Sequence, residues 1–410
     1  MTSQKRNIRL YVLIVLASLS FYNPFGLVSA QAGKFLFYVV CLIALVMVRR
    51  HGISLRRVKY PRTAYKMLMG GIAFSIVMVL LFQKQSLKTT VIATLPYLFA
   101  YSTFYVLMKL NIPKKRIERI IWIFCYVSMG VYIVNALSFP NMVFGAEKEE
   151  FDMSRGIARL GVRSIELMVL FFLYAINQWI LTRRRKYVWL ILLTFTFIVL
   201  SLTRQIIGLS VVLGLLFIMQ KASWPKKIGV ITVCALLYLF VLPQIPIFKT
   251  MAELSEAQAE RNKYEEEDIR IQAWRFYTYG YQTNAITPIL GNGIPAMGKS
   301  QWAKNYEMTV SPLYGGNACF TVDVGWAGFF WYFGAVATLG LLVLLVKAAM
   351  KKKAKDRQYL TYWCIFLTLT SAASGPILFY SQIVSVMTVL YLVYGKEENS
   401  NNHSQLQQQQ

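Results

Sequence analysis

The property that most limits how this chain can fold is a recurrence. Apolar runs of roughly 20 residues follow one another along most of its length, separated by short loops. A run that long crosses hydrocarbon as a helix, because each backbone amide must find its partner inside the same segment. We place twelve such runs, at 8–28, 33–48, 67–83, 90–108, 117–138, 164–181, 187–203, 205–220, 228–247, 323–346, 358–374 and 376–394. The expected fold class is an all-α polytopic membrane protein with one large polar loop, 248–322, partly helical, between the ninth and tenth helices. Residues 1–247 then carry nine helices and short loops, 323–394 carry the last three, and 395–410 form a polar, Gln-rich, disordered tail.

Charge orients these helices. Alternate loops read "RRHGISLRRVKYPRTAYK", "KLNIPKKRIER", "TRRRK", "KASWPKK" and "KAAMKKKAKDR". Lys and Arg collect in cytoplasmic loops, so both termini are expected in the cytoplasm and 248–322 outside it. The net charge of +26 would otherwise suggest a nucleic-acid partner. Its distribution excludes that class, since the basic residues sit in short clusters between apolar runs and not in one basic domain. Charged residues make up 15% of the chain, against about 25% in an average soluble domain. At the N-terminus, Lys5, Arg6 and Arg9 precede a run ending "GLVSAQAG". That ending is similar to a signal-peptidase site, but an uncleaved first span is the expectation.

No Asp, Glu, Lys or Arg falls in the middle of a predicted span, where ion-coupled transporters carry them. The ionisable residues near the membrane gather at the outer ends: Arg163, Glu166, Arg204 and Asp323. Cys41, Cys125, Cys234 and Cys364 lie in apolar runs as small hydrophobes, and Cys319 lies near a polar loop. No disulfide or metal spacing results. The two histidines, His51 and His403, lie in a basic loop and the tail. Neither a metal nor a cofactor is expected.

Four outer segments could carry chemistry. In 139–163, Arg155, Arg159 and Arg163 recur every four residues, which puts them on one face if the segment is helical. Such a row can grip phosphate oxygens, or pair with Glu147, Glu149, Glu150 and Asp152. Glu166 is a candidate base, or a partner for Arg163 three residues before it. Arg204 sits in a very tight hairpin, either snorkelling to headgroups or reaching between helices. In "DIRIQAWRFYTYGYQTNAITPILGNGIP", Arg270, Trp274, Tyr277 and Tyr281 share a helical face, with Arg275 beside them. Aromatic faces stack on sugar rings, although an interfacial aromatic belt has the same composition. The Gly291–Asn292–Gly293 turn that follows is the point where the chain heads back to the membrane. Asp323 opens the next span, as general base or as helix N-cap.

The order of these pieces resembles the bacterial O-antigen and capsular polysaccharide polymerases and their relatives, the O-antigen ligases. Thr203 and Arg204 match the family's Thr/Ser-Arg hairpin. Arg270, Trp274, Pro288, Gly291 and Gly293 match its periplasmic loop, and Asp323, Gly325 and Gly328 match the acidic-Gly-Gly opening of the next span. The resemblance covers about 187–347. It implies a GT-C-type architecture of about twelve transmembrane helices in the bacterial inner membrane. The implied activity is a metal-independent glycosyltransferase. It would pass a polyprenyl-pyrophosphate-linked oligosaccharide to a sugar hydroxyl of another lipid-linked repeat unit on the outer face. Membrane lipids, a chain-length regulator and a flippase are the implied partners. Catalytic roles would fall to Arg204, Arg270, Asp323 and Glu166. Substrate binding would fall to Arg155, Arg159, Arg163, Trp274, Arg275, Tyr277 and Tyr281.

The chain departs from the ligases in one respect. Their large loop carries a His, and 248–322 here has none, which favours a polymerase. A ligase acting on a lipid A-core acceptor is the alternative with the same chemistry. A lipid-linked oligosaccharide flippase or another twelve-span transporter is the alternative of another class.

Overall fold

A computed structural model describes residues 3–19, 27–55, 58–139, 164–221 and 268–396, with isolated residues between them. Its helices are α1 (Ser3–Leu19), α2 (Ala30–His51), α3 (Arg62–Phe82), α4 (Leu87–Leu110), α5 (Lys114–Ser138), α6 (Ile165–Thr182), α7 (Arg185–Leu200) and α8 (Arg204–Lys221). Short helices follow, α9 (Ile269–Arg275), α10 (Thr287–Leu290) and α11 (Gln301–Val310). Then come α12 (Gly325–Met350), α13 (Tyr359–Thr370) and α14 (Tyr380–Tyr394). The described fold is therefore helical, apart from a two-residue ladder pairing Phe151–Asp152 with Arg159–Leu160. Every predicted span overlaps a helix except 228–247, most of which lies outside the described residues. Six of the described helices, α2 to α6 and α12, are long and apolar enough to cross a membrane.

Local chemistry sets the helix ends. Ser29 caps α2 by accepting from the Ala32 N–H at 3.2 Å, and Ser86 caps α4 from Thr89 at 3.3 Å. Asn111 ends α4 in the left-handed conformation, at φ 48°. At their basic ends α3 and α5 begin earlier than the apolar runs predict, because Arg and Lys continue a helix well.

The core seam runs between α3 and α12. A Cβ on Gly71 would stand 2.7 Å from that of Ala337, and one on Gly340 would stand 2.6 Å from the Ala64 carbonyl oxygen. Small residues thus let two backbones approach, which is how helices associate where hydrophobic burial gives no driving force. On the other flank α14 packs along α4. Tyr101, fully buried past the midpoint of α4, donates to the Ile377 carbonyl at 2.8 Å. The connection between α13 and α14 therefore reaches deep into the bundle.

The helix α12 is broken. Gly334 sits at φ 75°, ψ 176°, a conformation open to glycine and strained for other residues. A break strips carbonyls of their helical donors, and in hydrocarbon each such carbonyl costs several kcal/mol. The Gly291–Asn292–Gly293 segment satisfies them. The Asn292 N–H donates to the Trp331 carbonyl at 2.8 Å, and the Gly293 N–H to that of Tyr332 at 2.9 Å. Gly293, at φ 79°, also lies so close to Ser75 and Val79 of α3 that no side chain fits. The turn expected to steer the chain back to the membrane is instead docked against a broken helix inside the fold.

Candidate functional site

The docked loop is built on a buried polar network. Asn292 accepts from the Thr283 hydroxyl at 2.8 Å and donates to Gln282 Oε1 at 3.1 Å. Gln83, at the end of α3, donates to Thr283 at 3.0 Å. Gln85 donates to the Ile294 carbonyl at 3.3 Å and accepts from the Ala296 N–H at 3.0 Å. Sequence inspection passed over these amides because nothing in their spacing separates them from loop residues. The polar spacer "FQKQS" between two apolar runs was the one available signal.

Beneath the network lies an aromatic cluster centred on Trp331. Tyr306 stacks on it at 4.9 Å, Tyr277 meets it edge-on at 5.6 Å, and Tyr281 lies at 5.8 Å. The Trp331 indole N–H donates to the Tyr281 carbonyl at 2.6 Å. Tyr277 is fully buried, with its hydroxyl 2.8 Å from that of Tyr306 and donating to the Cys319 carbonyl at 2.7 Å. Burial raises the Tyr277 phenol far above its ordinary pKa, and the Tyr306 hydroxyl only partly offsets this, so it stays protonated at neutral pH. Tyr277 is therefore part of the packing and is covered from solvent.

The face expected from Arg270 to Tyr281 is interrupted. Asp268 caps α9, its carboxylate accepting from the Arg270 N–H at 2.8 Å. The α-helix stops at Arg275 and a π-helical turn, Phe276–Gly280, follows. An extra residue in the turn rotates everything beyond it. Arg270 and Arg275 stay exposed, Trp274 is half-buried, Tyr277 turns inward and Tyr281 stacks on Phe276 at 5.2 Å. Tyr279, 84% exposed, is the tyrosine of this segment that faces outward, four residues beyond the exposed Arg275.

Around this loop, distant segments meet at one strap, Thr368–Gly375. The Trp274 indole N–H donates to the Ala372 carbonyl at 2.8 Å. Gln205, next to the half-buried Arg204, donates to the Thr370 carbonyl at 2.8 Å. The Trp326 N–H donates to the Ser371 carbonyl at 2.9 Å, and its indole N–H to that of Thr368 at 2.8 Å. Asp323 ends the turn Thr321–Asp323 just before α12. It does not cap that helix, whose cap position is Val324, with no side-chain bond. Asp323 is an exposed residue; partial burial of its carboxyl raises its pKa, and the positive charge of Arg270 opposes this. The Arg270 charge is thus felt at Asp323, which lies just before the first turn of α12.

The other predicted residues are placed differently. Glu166 is 3% exposed in the first turn of α6, its backbone carbonyl held by the Trp363 indole at 2.7 Å. Its Oε2 has no hydrogen-bond partner among the described residues. Ser210 Oγ and Thr370 Oγ1 are buried in the same condition, on α8 and α13, which both pack against α6. Arg159 lies in the short ladder opposite Asp152, so no helical face forms there. The strand pairing exposes the assumption behind the four-residue spacing. Arg155 and Arg163, with any pairing of Arg163 to Glu166, lie outside the described residues.

A groove of about 820 Å³ opens between α2, α4 and the Ile294–Lys299 segment. Phe35, Tyr38, Tyr97 and Phe379 line it, with Lys34 and Lys299 at its edge. Among the described residues no group of three His, Cys, Asp or Glu stands close enough to hold a metal. No family model matches the sequence, and no curated protein matches it.

Proposed function

We propose that this chain is a polysaccharide repeat-unit polymerase embedded in a bacterial inner membrane by about twelve helices. It would use a polyprenyl-pyrophosphate-linked glycan as donor at the outer face. The observation that carries the proposal is the strap Thr368–Gly375, which Trp274, the Arg204 hairpin and the first turn of α12 all reach, with Arg270 one helical turn before Trp274 and Asp323 just before α12. A glycosyl transfer with a pyrophosphate leaving group needs a base and fixed cations near one point, and these residues supply both.

The chemistry follows from their properties. A sugar hydroxyl of the acceptor loses its proton to the Asp323 carboxylate as its oxygen bonds to the anomeric carbon of the donor. The anomeric C–O bond breaks, and its electron pair leaves with polyprenyl pyrophosphate. Arg270 and Arg204 balance the charge that grows on the leaving group. The positive end of the broken α12, starting at Gly325, adds to that field. Trp274, its indole N–H fixed by Ala372, gives a rigid half-buried ring for a sugar, and exposed Tyr279 gives a second. The apolar groove beside Ile294 has the chemistry to hold a prenyl chain, with Lys34 and Lys299 near its head.

The test is the product made by Arg270→Ala in cells expressing normal amounts of protein. Loss of the polymer ladder with single carrier-linked repeat units accumulating supports the proposal. Full-length polymer from Arg270→Ala removes Arg270 from it. Long carrier-linked chains that fail to reach lipid A-core would indicate a ligase.

A further inference from the structure

At the opposite end of α12, a second concave site has no part in that chemistry. A recess of about 410 Å³ is lined by Lys59, Lys114, the run Lys351–Lys353 with Arg357, and Lys396. Among the described residues no carboxylate lines it. A second recess adjoins it, sharing Lys59, Lys351 and Tyr394 and adding Arg62 and Lys347.

The ordinary account of lysines here is the bias of cytoplasmic loops toward positive charge, together with cation capping of helix ends. Part of the cluster fits it. Lys351 donates to the Val393 carbonyl at 2.9 Å and Lys353 to that of Ala348 at 2.6 Å, at the C-terminal ends of α14 and α12. Arg357 is paired with Glu118 at 3.1 Å. Loop bias, however, predicts cations spread over convex loops facing headgroups. These cations line a concavity, and they come from four separate chain segments that tertiary packing brings together. Lys114 is 6% exposed. Burial holds the Lys353 ammonium below the usual lysine range; Cys364 opposes this, and Lys351 adds to it. Crowded like charges repel unless an anion sits among them.

We propose that this recess binds a compact anion carrying two or more phosphates, presented either by a soluble polyphosphate or by a diphosphate lipid headgroup. Lys59, Lys352 and Lys396 would meet its oxygens.

The experiment uses the full chain and two probes. Inorganic tripolyphosphate is titrated into detergent-solubilised protein by calorimetry. Diphosphatidylglycerol is offered in phosphatidylcholine nanodiscs, with retained lipid counted by native mass spectrometry. Saturable tripolyphosphate binding identifies a soluble ligand. Retention of diphosphatidylglycerol without tripolyphosphate binding identifies a headgroup. In either arm the exposed pair K352E/K396E should weaken binding roughly tenfold or more, while R184E/R185E, the same charge change on another basic loop, should leave it nearly unchanged. Absence of saturable binding to both probes by the wild-type chain overturns the proposal, and so does equal weakening by the two reversals. The recess shares no residue with the proposed glycan site, so either can fail alone.

Discussion

Asp323 and Arg270 give the sharpest prediction at the scale of single residues. A carboxylate acting as base works only when ionised, so the rate should fall as pH drops through its pKa. Burial raises that pKa and Arg270 lowers it. Removing the guanidinium in Arg270→Gln should therefore move the acidic limb of kcat/KM to higher pH, besides lowering the rate. Asp323→Asn should reduce turnover by about 10²–10⁴-fold. An unmoved limb in Arg270→Gln would show that the titrating base is some other group. Asn292 illustrates a different kind of residue, one that acts through structure. Asn292→Ala would remove the acceptor of the Thr283 hydroxyl and one of the two donors to Gln282 Oε1. The expected cost is about 1–3 kcal/mol, seen as a lower unfolding temperature in detergent.

Among the elements, the broken helix α12 matters most. Its predicted span, 323–346, reads as one continuous apolar helix, and nothing in the composition marks Gly334 as a break. The break holds because the loop before it returns two N–H donors to Trp331 and Tyr332. A side chain at 334 would meet the Ile289 carbonyl and the Gly291 nitrogen. Gly334→Ala should therefore cost about 2 kcal/mol or more and reduce the yield of folded protein, whereas Gly208→Ala, where a Cβ meets nothing within 4 Å, should be neutral. The π-turn after Arg275 makes the same point. Helical spacing nominated Arg270, Trp274, Tyr277 and Tyr281 as one face, and of these Arg270 is exposed, Trp274 and Tyr281 are half-buried, and Tyr277, inside the turn, is buried.

For the whole molecule, the proposed orientation is directly testable. The described native cysteines, Cys41, Cys125, Cys319 and Cys364, are all buried, so in a Cys234→Ser background an exposed engineered thiol reports its own side. Tyr279→Cys should react with a membrane-impermeant maleimide in intact cells, and Lys352→Cys only after permeabilisation. The reverse pattern would invert the bundle and end the polymerase proposal.

Much of the helical architecture was legible in the sequence because span length and burial of backbone amides are local requirements, met within about 20 consecutive residues. The helix positions followed, and so did the separation of basic loops from the polar loop. The candidate arginines and Asp323 could be nominated from order and spacing alone. What tertiary structure decided was which of them meet. The strap at Thr368–Gly375, the plug at Gly291–Gly293 and the lysine recess each join segments far apart in the chain. Their partners are set by backbone approach and by orphaned carbonyls, which leave no periodic trace in a single sequence.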